Sequence, residues 1–369
     1  MKSPERSSAA IFCRGGASEK DWQDWKWQFR SRVHTLTQLS GVMDMMPGAL
    51  RKYETVVRRF PFCITPYYLS LADLMDKKDP IRLQCFPDLK EIHFSRGGVS
   101  DPLDEELHMP VAGIVHRYPD RCLAMVTNTC ATYCRHCNRK RRWGNVSSTG
   151  IREFLRGMID YVSRTPSIRE VIISGGDPLT MNERSLDWFL GELRAISHVE
   201  VLRIGSRMPV VMPMRITEEL CAMLRRHRPL WFNTQFNHRR EITPDAARAC
   251  EMLLEAGIPV SNQSVLLKGI NDSYEEMQAL LHGLQRISVR PYYLFQCEPV
   301  RGADHFRVDI LKGTEIMERV RKTASGLCIP NYVLDTPGAG GKIPLQMISS
   351  EALRELDREH FFDKTGQMD

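Results

Sequence analysis

Three cysteines fall within eight residues, in the segment Cys130-Ala-Thr-Tyr-Cys134-Arg-His-Cys137, directly after a short apolar run. Thiolates at this spacing can coordinate one face of an iron–sulfur cube and leave its fourth iron without a protein ligand. Soft sulfur ligands also suit zinc, but a structural zinc site normally takes four protein ligands. His136 would have to be the fourth, and its place between two cysteines would strain the site. The spacing therefore favours a 4Fe–4S cluster, with zinc as the alternative.

The other eight of the eleven cysteines are scattered along the 369 residues. An odd number of cysteines favours a reduced compartment over a disulfide framework. No apolar run approaches the ~20 residues that cross a bilayer, and the first residues lack the apolar stretch of a signal peptide. The sequence therefore predicts a cytoplasmic protein without a membrane partner. The net charge of +6 suits both an enzyme with anionic cofactors and a weak nucleic-acid binder.

The first 110 residues lack any regular alternation of strands and helices. Residues 1–20 are predicted to form a mobile leader, and residues 21–37 have the apolar spacing of a helix. Residues 38–110 hold short helical stretches that prolines interrupt. We expect residues 1–110 to form a helical N-terminal region.

From about residue 111, short apolar runs alternate with longer amphipathic segments. The predicted strands are residues 122–127, 170–174, 200–205, 230–236, 259–267 and 291–297, with a last extended piece at 331–335. The predicted helices are residues 149–164, 182–196, 217–227, 244–256, 273–287 and 312–325. Six such units predict an α/β fold of parallel strands, either a doubly wound sheet or a barrel. In both, catalytic groups lie past the carboxyl ends of the strands.

An ordered set of further motifs accompanies the cysteines. They are HRYPDR at 116–121, SGGDPL at 174–179, RIGSRMPVVMPMRIT at 203–217, FNHRREIT at 236–243, NQSVLLKGIND at 262–272, HFR at 305–307 and DTPGAGGK at 335–342. With the cysteine motif, this set resembles radical S-adenosylmethionine enzymes of the lysine 2,3-aminomutase family over about residues 21–345. The resemblance implies a partial (β/α)6 barrel at 111–325, a helical N-terminal region at 1–110 and a short C-terminal segment at 326–369.

The resemblance implies that the cluster binds S-adenosyl-L-methionine. The cluster ligands would be Cys130, Cys134 and Cys137, and an external electron donor would reduce the cluster, which then cleaves the sulfonium to a 5′-deoxyadenosyl radical. Ser174, Gly175, Gly176 and Asp177 match the motif that receives the methionyl amino group. Two glycines after a strand let backbone approach a ligand closely, and the Asp177 carboxylate can accept a hydrogen bond from an amine. Alone, SGGD would indicate only a turn between strand and helix.

A second cofactor, pyridoxal 5′-phosphate, is implied by the glycine-rich stretch that ends at Lys342. A lysine on a flexible loop suits a Schiff base that must form and release. The stretch also resembles part of a phosphate-binding loop, but the strand, loop and helix of a Walker motif do not surround it. The resemblance places Arg117, Tyr118 and Arg121 around the pyridoxal ring and phosphate, and Gln263 near the cofactors.

The predicted substrate is a cationic L-amino acid, with L-lysine as the first choice. Arg139 matches the arginine that binds the substrate carboxylate, although NRKRR at 138–142 also fits a solvated basic run. We expect one arginine of this run to face inward and the others to be solvated. Glu298 and Asp335 match the two acids of lysine-type members, and two acids in a closed pocket require a cation. Glu298 stands where aspartate is usual and Phe295 where tyrosine is usual, which keeps L-arginine as a rival substrate.

Two further alternatives follow from the sequence. One is the lysine isomerase that supplies β-lysine for modification of a translation elongation factor. The other is a metal-stabilised protein that binds or modifies RNA through NRKRR, which would leave Lys342 unexplained; we therefore expect no nucleic-acid partner. Relatives carry a zinc-binding segment after Cys328 that this sequence lacks, and Ser273 stands at the other ligand position. No intersubunit zinc site is predicted, and a homo-oligomer is left open.

Overall fold

The computed structural model describes residues 17–43, 46–93, 98–143 and 150–362. Its centre is one sheet of nine strands, each hydrogen-bonded to the next in chain order. The strands are β1 Ile114–Tyr118, β2 Arg121–Thr127, β3 Glu170–Gly175, β4 Val201–Gly205, β5 Leu230–Thr234, β6 Val260–Leu266, β7 Arg290–Gln296, β8 Asn331–Asp335 and β9 Lys342–Pro344. Strands β2 to β8 are parallel, so all seven predicted strands are confirmed within two residues at each end.

Helices connect the parallel strands and cover the outer face of the sheet. They are α8 Ile151–Ser163, α9 Glu183–Arg194, α10 Met208–Val211, α11 Glu218–Arg225, α12 Pro244–Glu255, α13 Tyr274–Arg286, α14 Ile310–Thr323 and α15 Ser350–Phe362. Polar side chains cap the N-termini of several of these helices, as Thr217 does for α11 and Thr243 for α12. Ser273 caps α13, which gives this position a structural role. Six strands each followed by a helix confirm the predicted (β/α)6 core.

The sequence did not predict the two outer strands. Strand β1 pairs antiparallel with β2, and β9 pairs antiparallel with β8. The sheet curves so that these two edges lie close together. The Arg117 guanidinium of β1 donates to the Gly338 carbonyl beside β9 at 3.2 Å and also to the Thr336 carbonyl. Side chains thus bridge the gap in the partial barrel.

The N-terminal region consists of short helices. They are α1 Glu19–Gln23, α2 Trp25–Arg30, α3 Leu36–Val42, α4 Glu54–Arg59, α5 Pro66–Ser70, α6 Pro80–Cys85 and α7 Lys90–His93, with a 3-10 helix at Pro47–Tyr53. The single helix predicted at 21–37 is wrong. Asp24 ends α1 and caps α2, and Val33 exchanges backbone hydrogen bonds with Ile64. Of the predicted leader, residues 1–16 lie outside the described residues.

The main hydrophobic core lies between the sheet, its covering helices and the N-terminal region, and a second cluster packs β7 and β8 against α13, α14 and α15. The same core thus joins the N-terminal region to the barrel. The predicted boundaries at residues 110 and 325 stay predictions. Among the described residues, no helix has both the length and the apolar character needed to span a bilayer.

Candidate active site

A cavity of about 590 Å³ is lined by residues of the parallel strands and of the loops that follow them. Every predicted site residue except Arg117 lines it: Tyr118, Arg121, Cys130, Cys134, Cys137, Arg139, Ser174, Gly175, Gly176, Asp177, Gln263, Glu298, Asp335 and Lys342. Residues separated by more than 200 positions in the sequence therefore share one enclosure. Its volume is that of a pocket for small molecules.

The cysteine loop is fixed by the N-terminal region. Arg32 Nη1 donates to the Cys130 carbonyl at 2.7 Å, and the Arg135 amide donates to the Gln84 carbonyl at 2.8 Å. In the described part of the chain, no three cysteine, histidine or acidic side chains converge on a point where one ion could sit. The three cysteines line one cavity, and soft sulfur ligands from one short loop suit an iron–sulfur cube, whose irons each take a separate thiolate.

A buried ion-pair cluster anchors the same loop from behind. Arg135 donates to Glu91 through two nitrogens, Nε to Oε1 at 2.9 Å and Nη2 to Oε2 at 2.5 Å. The Lys140 ammonium lies 2.8 Å from the same carboxylate. All three side chains are at most 1% exposed. Burial opposes ionisation of Glu91, but the charges of Arg135 and Lys140 outweigh it and lower the pKa of Glu91.

The basic run at 138–142 faces inward more than the sequence predicted. Lys140 is buried, and Arg141 pairs with Asp101 at 2.9 Å and with Glu105 at 3.1 Å. The prediction that one arginine points inward while its neighbours are solvated is therefore wrong. Since the acids before β1 neutralise the run, it is poorly suited to bind phosphates of RNA.

Arg207 is a residue of the site that the sequence left without a role. Its Nη1 donates to Cys134 Sγ at 2.8 Å, and its Nη2 donates to Glu241 Oε1 at 2.6 Å. Nε donates to the Gln235 carbonyl at 3.0 Å. A buried cation is thus held against one of the predicted cluster ligands. Arg207 lies in the motif at 203–217, just after β4, but neither signal reveals the sulfur contact.

The two glycines after β3 allow two loops to pack together. A Cβ on Gly175, whose φ is 122°, would lie 2.4 Å from the Thr127 carbonyl oxygen. A Cβ on Gly176 would lie 2.4 Å from the Thr129 carbonyl oxygen. Only glycine therefore lets this loop approach the chain that enters the cysteine motif. The close approach observed is to protein backbone; approach to a methionyl group stays a prediction.

Asp177 is largely engaged by protein. Its Oδ1 accepts from Leu179 N at 3.0 Å and Ser206 Oγ at 2.8 Å, and its Oδ2 accepts from Arg207 N at 2.9 Å. Burial raises the pKa of Asp177 to about 6 even though these bonds favour the anion. Oδ2 accepts one hydrogen bond in the described structure and has the capacity for a second.

Lys342 begins β9 at the edge of the cavity. Its Nζ lies 3.1 Å from Asp335 Oδ2 and 3.2 Å from the Tyr118 hydroxyl. The rings of Tyr293 and Phe295 lie with their centroids 6.0 and 5.8 Å from Nζ. An amine beside aromatic walls suits an aromatic aldehyde.

The arginines on β1 and β2 have different positions. The Arg121 guanidinium stacks 3.8 Å from the Tyr118 ring centroid and lines the cavity, where it can meet a phosphate. Arg117 does not line the cavity, because its guanidinium is turned to Asp335 Oδ1 at 3.4 Å and to the carbonyls before Lys342. Arg117 therefore holds the loop that precedes Lys342, and its predicted contact with the cofactor stays a prediction.

Arg139 is oriented by Glu105, which the sequence analysis did not identify. Nε and Nη2 of Arg139 donate to Glu105 Oε1 at 2.9 and 2.7 Å, and Nη1 faces the cavity 3.5 Å from Ser174 Oγ. Although burial works against ionisation, Arg139 and Arg141 lower the pKa of Glu105 to about 2. Glu105 thus fixes one edge of the Arg139 guanidinium, while Nη1, which donates to Ser174 Oγ through one N–H, keeps a second N–H for a ligand. Glu105 lies in the acidic stretch DEEL, which carries no motif.

The two predicted substrate-binding acids differ in their surroundings. Asp335 lies between Arg117 and Lys342. Glu298 accepts only a hydrogen bond from Asn138 Nδ2, at 2.7 Å, and has no ion pair within the described ranges. Burial, followed by the charge of Asp335, raises the pKa of Glu298 to about 8. Glu298 is therefore the acid whose ionisation a bound cation would favour most.

Comparison with known proteins places this site in a family. The Radical SAM superfamily model matches residues 125–281. The chain is 46% identical over 332 residues to L-lysine 2,3-aminomutase of Fusobacterium nucleatum, covering 89% of this chain and 77% of that protein. It is 45% identical over 343 residues to the L-lysine 2,3-aminomutase of Bacillus subtilis, covering 93% and 73%.

A relative with a different name is also similar. Glutamate 2,3-aminomutase of Clostridioides difficile is 42% identical over 328 residues, covering 89% of this chain and 78% of that protein. The superfamily match at residues 125–281 includes the cysteine loop and strands β3 to β6. This chain therefore belongs to the lysine 2,3-aminomutase family of the radical S-adenosylmethionine superfamily.

Proposed function

We propose that the protein is an isomerase that moves the α-amino group of L-lysine from C2 to C3, giving a β-amino acid. The family supports 2,3-aminomutase chemistry with a 4Fe–4S cluster, S-adenosyl-L-methionine and pyridoxal 5′-phosphate. The observation that carries the choice of a cationic substrate is Glu298, a cavity-lining acid without a cationic partner among the described residues. A side-chain ammonium would provide that partner.

The charged side chains of the cavity can bind both the carboxylate and the side-chain ammonium of L-lysine. Arg139 Nη1 donates to Ser174 Oγ at 3.5 Å and has a second N–H that can bind the carboxylate, and Glu105 keeps the guanidinium plane from turning away. Glu298 accepts from the side-chain ammonium. Asp335 is the second acid of the pocket and balances Lys342 and Arg117. Glutamate would place a second carboxylate beside Glu298 and Asp335, which costs free energy in a closed pocket.

When bound, the cofactors supply a hydrogen-abstracting radical and a carbonyl that takes up the migrating nitrogen. The residues of the chain provide position and protons. Asp335 Oδ2 is placed to hold a proton shared with Lys342 Nζ, and the Tyr118 hydroxyl fixes the direction of that amine. Tyr292, Tyr293 and Phe295 wall the cavity, which limits the water that could quench a radical.

Substrate turnover is the direct test of the proposal. The protein is reconstituted anaerobically with iron, sulfide, pyridoxal 5′-phosphate, S-adenosyl-L-methionine and a one-electron reductant. L-Lysine, L-arginine, L-ornithine and L-glutamate are then supplied separately, and β-amino products are measured by chromatography. We expect β-lysine as the main product, with kcat/KM for glutamate lower by at least about a hundredfold, since it leaves charges unpaired. Turnover of glutamate alone would rule out the proposal.

The ionisation of Glu298 predicts a pH dependence. With its pKa raised to about 8, the carboxyl is mostly protonated at pH 6 and attracts an ammonium weakly. Above about pH 8 it is anionic and pairs strongly. We therefore expect the ratio of kcat/KM for L-lysine between the wild type and Glu298→Gln to be near one at pH 6 and at least about tenfold above pH 8.

The comparison between the wild type and Glu298→Gln contains its own control. Glutamine has the shape of the protonated acid, and taking the ratio cancels the ionisations of the substrate and of other residues. The profile is measured at constant ionic strength because screening changes with salt. A ratio that stays constant across this range would show that Glu298 does not bind the cation.

A further inference from the structure

Three consecutive residues connect the predicted cluster site to both ends of the proposed substrate. Cys137 is a predicted cluster ligand, and its Sγ accepts from the Arg139 backbone amide at 3.4 Å. Arg139 lines the cavity, and its Nη1 keeps one N–H beyond the bond to Ser174 Oγ. Between them, Asn138 Nδ2 donates to Glu298 Oε2 at 2.7 Å, across 160 residues of sequence. No motif of the sequence analysis assigned Asn138 a role.

We infer that Asn138 is a specificity-determining residue that makes Glu298 a receptor for a primary ammonium and a poor one for a guanidinium. This inference rests on the proposed function, since it concerns the choice between lysine and arginine. Asn138 acts through Glu298 and is a positioning residue.

The inference follows from the number of oxygens that each cation requires. A guanidinium binds a carboxylate best through two parallel N–H···O bonds, one to each oxygen, whereas an ammonium can be held by a single oxygen. Asn138 already donates to Glu298 Oε2, so Oε1 is the oxygen without a partner in the described structure. The Glu298 backbone is fixed at the turn that follows β7, because its carbonyl accepts from Val300 N at 2.8 Å.

The second acid of the pocket does not offer a two-oxygen site either. Asp335 Oδ1 faces Arg117 at 3.4 Å, and Asp335 Oδ2 faces Lys342 at 3.1 Å. An incoming guanidinium would have to share an oxygen with one of these cations or with the Asn138 amide. An ammonium can instead be held by Glu298 Oε1 alone. L-Lysine and L-arginine both carry a positive side chain. The preference for L-lysine therefore depends on which carboxylate oxygens lack a partner.

The test compares the wild type with Asn138→Ala, using kcat/KM for L-lysine and L-arginine under saturating cofactors. Removing the amide frees Oε2, so we expect the lysine-to-arginine ratio of kcat/KM to fall by about tenfold. The change should appear mainly in KM, since the amide does not contact the reacting atoms. Iron content and the visible spectrum should match the wild type. Asn331→Ala, an exposed asparagine at the start of β8, is the matched control and should leave the ratio unchanged.

The same substitution is also made in the Glu298→Gln variant. This comparison separates an effect on the orientation of Glu298 from a general loosening of the loop. In Glu298→Gln, where no anionic fork exists, Asn138→Ala should no longer change the ratio. A ratio unchanged in Asn138→Ala, or changed equally in both backgrounds, would overturn the inference. If Asn138→Ala loses iron, Asn138→Ser, whose hydroxyl is too short to reach Oε2, provides the same comparison. A wild type that turns over neither substrate refutes the proposed function instead, so the two failures are distinguishable.

Discussion

Replacing Lys342 with alanine is expected to lower turnover below about one-thousandth of the wild-type rate, because a tethered amine converts a bimolecular capture into an intramolecular one. In the structure, the Lys342 ammonium lies between Asp335 Oδ2 and the Tyr118 hydroxyl at the edge of the cavity. These contacts direct Nζ toward the aromatic walls. Without this amine, nothing on β9 can hold pyridoxal 5′-phosphate covalently.

Two further variants identify which property of Lys342 matters. Lys342→Arg keeps a cation beside Asp335 but lacks a nucleophilic amine, so it should fold like the wild type and still lose activity. Lys312→Ala removes an exposed lysine that pairs with Asp272 on the surface and should retain full activity. Borohydride reduction followed by peptide mass spectrometry should place pyridoxyl phosphate on Lys342 in the wild type and on neither Lys342 variant. Appreciable turnover by Lys342→Ala, above about one-tenth of the wild type, would remove Lys342 from this role.

The parallel core could be predicted from the sequence, and its two edges could not. Runs such as CLAMVT at 122–127 are apolar because helices cover one face of the sheet and the site fills the other. Strand β1 reads IVHRY and β9 is only three residues long. Neither has the apolar period of a strand, because both lie at sheet edges and carry polar side chains toward the site. Their pairing depends on neighbours that only the folded sheet provides.

The site was predictable where a local motif carries the chemistry. The cysteine motif and the glycine-rich approach to Lys342 are visible in a few letters of sequence. Glu105, Arg207 and Asn138 are different, because each acts on a residue at least 34 positions away in the sequence. A lone arginine after a strand or an acid in a charged stretch carries no sign of its partner. The inward turn of NRKRR was missed for the same reason, since its acidic partners lie in another segment.

The cysteine motif gives the second large effect. Cys134→Ala is expected to retain less than about one-tenth of the iron bound by the reconstituted wild type, because a cluster with one open iron has no protein ligand to spare. Turnover should fall with it, below detection. Cys134 lines the cavity and its Sγ accepts a charged hydrogen bond from Arg207 at 2.8 Å. Iron by colorimetric assay and the low-temperature EPR spectrum of the reduced protein are the measurements.

Cys63 provides a demanding control because it lies beside the same loop. Its thiol is buried and donates to the Ala131 carbonyl at 3.7 Å, yet it does not line the cavity. Removing Cys63 therefore deletes a neighbouring sulfur without deleting a predicted ligand, and Cys63→Ala should keep the iron content and spectrum of the wild type. Equal iron loss in both variants would mean that the cluster depends on the integrity of the loop and not on the identity of its ligands. Full iron retention by Cys134→Ala would exclude Cys134 as an essential ligand, because the cluster would then be held without the Cys134 thiolate.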